Sequence, residues 1–587
     1  MKFLKKYIRK YGKLFSAAVI FLTFEALCDL LQPTIMSKII DVGVAQRDME
    51  YVLKMGGLML LITALGAISA SARNVVSSIV SQNFGAELRS DLFRKIQTLS
   101  FKNIDKFDRA SLVTRLTNDV NQVQVFVNGL MRIFVKAPLL CVGGLIMATR
   151  LNPHLAVVLA VVVPIVGVLI VLNMRIGFPF FTRVQKALDR VNGVMREYLS
   201  GVRVVKAFNR FDYEVEKFNK ANEEFQSTSI RATRVMAVFS PVIMLTMNFG
   251  IVAVLWLGGL GVSHGQMQVG HIIAFTNYMT QILFSLMMIS MVFNMFVRAK
   301  ASAERIDEVF SQENDITWKD SSEEVSNRKG RIDFEHVFFS YEGTSGQSVL
   351  KNISFTCLPG EMVGIIGSTG SGKSSLVELI PRFYDVSSGL IKVDGEDIRN
   401  IEPKRLREKI AIVPQKTILF SGTVMDNIKW GKEAAAMEEI ERAAIMAEAH
   451  DFISKSPEGY HTRLGQGGVN FSGGQKQRVS IARALVRKPE ILILDDSTSA
   501  VDAATEAKIK ESLKKYANGL TCLLIAQRIT SVIDADKIIV LDDGEIAGVG
   551  KHEELMKNCK VYQEIFQSQV GKEVHENVTA KATNGTE

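Results

Sequence analysis

Cysteine is scarce: Cys28, Cys141, Cys357, Cys522 and Cys559 are the only five in 587 residues, and no two form a CxxC pair. Such scatter offers no disulfide framework and no zinc-knuckle spacing, and it points to reduced, structural thiols. A basic stripe with interleaved aromatics is also missing, so the net charge of +9 does not call for a nucleic-acid partner. No small-residue cleavage site follows the first apolar run, which is therefore expected to stay on the chain and not to leave as a signal peptide. No internal repeat is visible. The positive charge is instead local: Lys2, Lys5, Lys6, Arg9, Lys10 and Lys13 crowd ahead of the first apolar run. A cluster of this kind marks the cytoplasmic side of a membrane span. It attracts anionic lipid by about 1 kcal/mol per residue near the surface.

The mean hydropathy of +0.16 averages two unlike halves. Residues 1–310 carry apolar runs near 14–40, 53–80, 126–149, 154–176, 236–262 and 268–297. Each is long enough to cross about 30 Å of hydrocarbon, which predicts a six-helix α-helical transmembrane domain. The connections 41–52, 150–153 and 263–267 are short and poor in Lys and Arg, whereas 81–125 and 177–235 are long and basic. That asymmetry places the long connections and both termini in the cytoplasm of a multi-pass protein of the cell membrane. The long connections read as helix, for example from Gln185 to Glu223, with turns near Ser100–Leu112 and Asn209–Phe218 placed to meet the second half. Residues 311–329 read as a polar linker, 330–570 alternate like an α/β domain, and 571–587 form a polar tail expected to be disordered.

Two motifs in the second half carry the chemistry. Gly367-Ser368-Thr369-Gly370-Ser371-Gly372-Lys373-Ser374 is a full P-loop between a buried strand, Met362 to Ile366, and a helix start that takes in Ser375. Its glycines let backbone N–H groups approach phosphate, and the helix start adds partial positive charge. Lys373 suits the β- and γ-phosphate oxygens and the Ser374 hydroxyl suits Mg²⁺. About a hundred residues on comes Phe471-Ser472-Gly473-Gly474-Gln475, where Ser472 is a good N-cap and two glycines keep side chains off the helix start. The combination resembles the ATP-binding cassette (ABC) ATPases, and the order of six spans, linker and cassette resembles an ABC exporter half-transporter.

The resemblance implies roles for further residues. Asp495, ending the apolar strand Ile491–Leu494, is similar to the Walker B aspartate that holds Mg²⁺ through water. Gln415 looks like the Q-loop glutamine, which senses Mg²⁺ and the attacking water. Tyr341 stands where the family keeps an aromatic that stacks on adenine, and Asp502 looks like the D-loop aspartate. In the family the Ser-Gly-Gly motif of one subunit completes the ATP site of the other, so a dimer with two sandwiched ATP molecules is implied.

Two positions depart from the family pattern. Asp496 replaces the glutamate that acts as general base on water, and Gln527 replaces the histidine that contacts the γ-phosphate. Aspartate is shorter by roughly 1.5 Å, and a misplacement of about 1 Å costs on the order of a hundredfold in rate. Glutamine donates a hydrogen bond but carries no charge. The pattern resembles the degenerate half of heterodimeric bacterial multidrug exporters, in which a second half-transporter chain supplies Glu and His. A slow homodimeric lipid or peptide exporter and a nucleotide-gated regulator stay open as alternatives.

The cargo is hinted at by the spans. Most of Phe284, Met287, Met288, Met291 and Met295 lie on one helical face, which suits either ordinary helix packing or a surface that adapts to varied small amphipathic partners. Glu25 and Asp29 lie one turn apart inside the first span, where carboxylates are costly and usually functional. They are candidates for binding cationic drugs, for accepting hydrogen bonds from a partner chain or for facing a water-filled cavity. Asp41, at the outer end of that span, is a candidate member of a polar external closure.

Overall fold

The computed structural model describes residues 4–314, 316, 330–341, 348–516 and 519–569. Most of the expected linker and all of the expected tail lie outside the described residues. The chain divides into two compact units: residues 1–97 with 108–312, and residues 98–107 with 313–587.

The first unit is helical throughout. Helix α1 (Leu4–Lys38) runs on into a widened π turn at Ile39–Val44, and α2 spans Met49–Thr98. The short α3 (Phe101–Asp105) precedes a long interrupted helix built of α4 (Arg109–Thr114), α5 (Val120–Gly129) and α6 (Lys136–Leu151). Then come α7 (Pro153–Ala207), α8 (Phe211–Ser263) and α9 (Val269–Phe310). Among the described residues, six helical stretches are long and apolar enough to cross a membrane, from Lys5–Val44 to Val269–Phe310. Several are much longer than a bilayer needs: the 55 residues of α7 make a rod about 80 Å long.

Local chemistry sets the ends and irregularities of these rods. Asn152 caps α7, its Oδ1 accepting from the backbone N–H groups of His154 (2.9 Å) and Leu155 (3.2 Å), with Pro153 at the first helical position. The sequence reads Asn209–Phe218 as the turn between the fourth and fifth rods. In the structure it is only Phe208–Arg210, and helix resumes at Phe211. Asn209 takes the left-handed conformation (φ +50°), which asparagine tolerates, and Asp212 and Glu214 favour an immediate helix start. The π turn at Leu130–Phe134 ends four residues before Pro138, whose missing N–H cannot reach the Phe134 carbonyl. Pro33, by contrast, sits inside α1 without breaking it. There the buried Tyr278 of α9 donates its hydroxyl to the Leu30 carbonyl at 2.6 Å, also meeting Thr34 Oγ1 at 2.6 Å. Tyr278, Phe275, Met279, Ile282 and Leu283 of α9 are the centre of the apolar core that α1, α6, α7 and α8 pack around.

The second unit carries two sheets. An antiparallel sheet has the order β2 (Leu350–Cys357), β1 (Ile332–Phe339), β4 (Ser388–Val393), β5 (Glu396–Asp397). The larger sheet runs β12 (Glu545–Gly550), β11 (Lys537–Asp542), β3 (Met362–Gly367), β10 (Thr521–Ile525), β9 (Ile491–Asp495), β6 (Ile410–Val413). It is parallel from β11 to β6, with β12 antiparallel at the edge. Its central strands are apolar on both faces, as a parallel sheet covered on both sides requires. A two-stranded ribbon pairs β7 (Gly422–Thr423) with β8 (Arg463–Leu464). The five cysteines are all free and buried.

Candidate functional site: the carboxyl ends of the parallel strands

Ligands of open α/β sheets gather where parallel strands end. Strand register brings four segments together at that edge. β3 leads into Gly367, while Ile525 of β10 pairs with Asp495 of β9, and Val413 of β6 with Leu494. Asp495 and Asp496, Gln415 and Gln527 therefore emerge side by side next to the loop from Gly367 to Lys373.

That loop is shaped by its glycines. Gly372 has φ +95°, a conformation that L side chains avoid, and it opens the helix Lys373–Glu378. Lys373 Nζ donates to the carbonyls of Gly367 (2.9 Å) and Ser368 (2.7 Å), and burial pulls its pKa down against the opposing pull of Asp496 and Asp495. Ser371 is almost fully buried and its Oγ has no hydrogen-bond partner among the described residues. Ser374 Oγ donates to Asp495 Oδ1 at 3.2 Å. Burial pushes the Asp495 carboxyl above the usual carboxylate range. A hydroxyl beside a carboxylate is a hard-oxygen pair of the kind Mg²⁺ takes when phosphate completes its shell.

Asp496 and Gln527, the two departures, are in direct contact. Gln527 Nε2 donates to Asp496 Oδ2 at 2.9 Å, and Gln415 Nε2 reaches the same oxygen at 3.3 Å. Asp496 is held in the left-handed region (φ +47°), with its own N–H donated to the Ile525 carbonyl. Aspartate visits that region more readily than glutamate does. Burial is the largest influence on its carboxyl and raises its pKa, opposed by the Gln415 hydrogen bond and the Lys373 charge.

Tyr341 belongs to an aromatic cluster. Its ring lies edge-on to Phe339 (4.8 Å) and Tyr384 (5.3 Å), and its hydroxyl meets Ser375 Oγ at 2.9 Å and Glu378 Oε2 at 3.5 Å. Tyr384 in turn donates to Asp105 Oδ2 at 2.7 Å, and Phe101 of α3 packs on Phe383. A cavity of about 570 Å³ opens beside Tyr341 and is lined also by Lys102, Asp105, Phe383 and Tyr384. Sequence reading missed Glu378 and Tyr384. Tyr384 lies ten residues past Ser374 and belongs to no motif, so only the fold could reveal its link to α3.

Ser472 begins the helix Gly473–Leu485 with a reciprocal cap: its Oγ accepts from Gln475 N–H (3.3 Å), and Gln475 Oε1 accepts from Ser472 N–H (3.0 Å). The glycine at 474 is required by close approach, since a Cβ there would lie 2.6 Å from the Ala500 carbonyl oxygen. Gln477 ties the two segments further, donating to Ser499 Oγ (3.2 Å) and accepting from Ala500 N–H (3.0 Å). Asp502 Oδ1 accepts from Thr505 N–H at 2.9 Å. No hydrogen bond among the described residues joins Ser472–Gln475 to the Gly367–Ser374 loop.

The membrane residues singled out by the sequence fall into two groups. Glu25 and Asp29 sit in an ion network: Lys136 Nζ lies 2.6 Å from Glu25 Oε1 and 2.9 Å from Asp29 Oδ2, and Arg73 Nη1 lies 3.3 Å from Glu25 Oε2. The Glu25 side chain is only 9% exposed and that of Asp29 is 32% exposed. Glu25 is thus neutralised inside the protein by two cations that sequence reading missed. Lys136 was detectable as a cation inside the third apolar run. Phe284 and Met291 are exposed on α9, Met287 and Met288 are half-buried, and Met295 packs over Gly129. Asp41 Oδ1 accepts from Gly270 N–H at 2.6 Å and its Oδ2 from Ser37 Oγ at 2.8 Å, tying the end of α1 to the start of α9. Among the described residues, no cluster of three or more His, Cys, Asp or Glu side chains is arranged to hold a metal.

Comparison with known proteins agrees with this geometry. Residues 15–287 match the ABC transporter transmembrane region and residues 350–499 match the ABC transporter family. The chain is 41% identical to YfiB, an ABC transporter ATP-binding protein of Bacillus subtilis, over 97% of this chain and 99% of that protein. It is 34% identical to an ATP-dependent lipid A-core flippase of Syntrophus aciditrophicus, over 86% of this chain and 84% of the flippase. With YgaD of B. subtilis, named for multidrug export as an ATP-binding/permease protein, it shares 35% identity over 82% and 83% of the two chains. A bacterial Atm1-family ABC exporter structure with ATP bound superposes with a TM-score of 0.79 at 25% identity, over 95% of this chain and 98% of the other. The chain belongs to the ABC transporter family and is a multi-pass half-transporter of the ABC exporter type, with an ATPase cassette following its six membrane helices.

Proposed function

We propose that this chain is the hydrolysis-impaired half of a heterodimeric exporter of the cell membrane, moving lipophilic or amphipathic compounds. Its long helical connections and both termini lie in the cytoplasm. Its own site binds ATP through the backbone of Gly367–Gly372, with Lys373 on the terminal phosphates and Tyr341 beside adenine. Ser374, Asp495 and Gln415 are the residues that would hold Mg²⁺. Ser472, Gly473, Gly474 and Gln475, with Asp502 nearby, are lent to the partner's site. The partner chain contributes the Glu and His that complete one competent site. Closure of the two cassettes on ATP drives the spans from inward-facing to outward-facing, and hydrolysis at the competent site resets them.

The observation that carries this reading is the contact between the two departures. The Asp496 carboxylate is short, and its Oδ2 accepts two amide donors, from Gln527 and Gln415. A general base must lie within hydrogen-bond reach of the water it activates. A retracted carboxylate whose acceptor oxygen is already engaged by two amides is a poor one. The loop's first glycine is fixed by the fold, since a Cβ at Gly367 would stand 2.1 Å from the Leu541 carbonyl oxygen of β11. Restoring both positions, Asp496→Glu with Gln527→His, is expected to raise steady-state ATPase of the purified chain by about a hundredfold, measured in lipid nanodiscs. An unchanged rate in a folded double variant would refute the assignment of these two residues. The relatives named for multidrug export and for lipid flipping both support an amphipathic cargo.

A further inference from the structure

The membrane unit contains a polar cavity of about 430 Å³ between α1, α2 and α9. Its polar wall is formed by Gln32, Asn277, Gln281 and one edge of Asp29, and its apolar wall includes Met59 and Phe284. Three observations fix its chemistry. First, the acid in the wall is already balanced: Glu25, Asp29, Arg73 and Lys136 are two carboxylates against two cations in one network. A permanent cation in the cavity would therefore gain little net attraction. Second, Gln281 Oε1 is buried and has no hydrogen-bond partner among the described residues. A buried amide oxygen without a partner costs about 1–3 kcal/mol, and turning the Gln281 amide so that this oxygen faces the cavity lets an occupant that donates a hydrogen bond relieve that cost. Third, neither Gln32 nor Asn277 has a side-chain hydrogen-bond partner among the described residues, so the wall offers further amide donors and acceptors, and the volume falls in the range of small-molecule sites.

We propose that this cavity is a headgroup subsite for an amphipathic cargo whose head is uncharged and both donates and accepts hydrogen bonds, such as an amide or a group of hydroxyls. The apolar body of the cargo then lies along Phe284 and the methionines below it on α9. This rests on the exporter reading above and replaces a lipophilic cation with a neutral head as the preferred cargo chemistry. Sites that hydrogen-bond a polar group reject analogues lacking it far more strongly than apolar pockets reject an extra group.

The test uses the full chain in lipid nanodiscs without nucleotide. Three fluorescent dodecyl probes share one body and differ in the head: glycinamide, glucosyl or trimethylammonium. The neutral heads are expected to bind at least tenfold more tightly than trimethylammonium, and the two neutral arms tell whether amide or hydroxyl is favoured. Gln281→Met, which keeps the side-chain length, and Asn277→Leu are each expected to shrink the preference to within about twofold. Equal or tighter binding of trimethylammonium would overturn the proposal. So would an undiminished preference in both variants, including the case where the amides serve only to bind the partner chain. Because nucleotide is absent and only one chain is used, this result is independent of whether the chain's own ATP site is impaired.

Discussion

Lys136→Met tests the intramembrane ion network most sharply. Methionine keeps the length of the stem but removes the ammonium that sits 2.6 Å from Glu25 and 2.9 Å from Asp29. Glu25 keeps Arg73 at 3.3 Å, while Asp29 loses its ion-pair partner. Removing one partner of a buried ion pair costs about 3–5 kcal/mol, because the remaining charge stays desolvated. Lys136 bridges α6 to two residues of α1, so the loss falls in the upper part of that range. Pairing it with Asp29→Asn removes the stranded charge and leaves Glu25 with Arg73. The double variant is therefore expected to recover at least half of the loss, a coupling of about 2 kcal/mol or more. The assay is denaturant unfolding of the chain in mixed micelles, with both single variants and the double. If Lys136→Met unfolds within about 1 kcal/mol of the parent, the network is not a buried one. Strictly additive single variants would refute the pairing itself.

Three further outcomes follow from the cassette. Gln415→Met removes a hydrogen bond that holds the Asp496 carboxyl down against burial. That carboxyl then rises further, and the acid limb of the residual ATPase, which needs the ionised form, moves to higher pH in a rate profile. Burial pushes the Cys357 and Cys522 thiols up to about 12; thiolate is the reactive form, so neither is expected to be alkylated at neutral pH until the cassette unfolds, as peptide mass spectrometry would read. Ser472→Ala loses one half of the reciprocal cap with Gln475 and is expected to lower cassette stability by about 1 kcal/mol, measured by thermal unfolding. A shift indistinguishable from zero would contradict the capping role.

The cassette edge was legible in sequence because its chemistry fixes residue types over short spacings. A glycine-rich loop, a Ser-Gly-Gly helix start and an apolar strand ending in Asp495 each declare themselves within eight residues. The contact between Asp496 and Gln527 follows once the strands are known to be parallel neighbours, since each residue lies just beyond its strand. The membrane unit was legible only as spans. Glu25 was visible as an intramembrane carboxylate, but its counterion Lys136 is 111 residues away, and no local pattern encodes such a pairing. The π turns around Asp41 and before Pro138 were equally hidden, because periodicity tolerates one extra residue in a long helix. The turn segment near Ser100 was foreseen, yet its union with the cassette through Tyr384 and Asp105 depended on the folded shape of both.

In the function proposed above, this polypeptide does not complete an efficient hydrolytic site by itself. The most direct test is the ATPase rate of the pure chain in nanodiscs, compared with the same chain assembled with a related half-transporter carrying Glu and His at the positions of Asp496 and Gln527. Slow turnover is expected for the chain alone, and turnover at least about a hundredfold faster for the pair. Equal rates, with the lone chain turning over as fast as the assembly, would contradict that function.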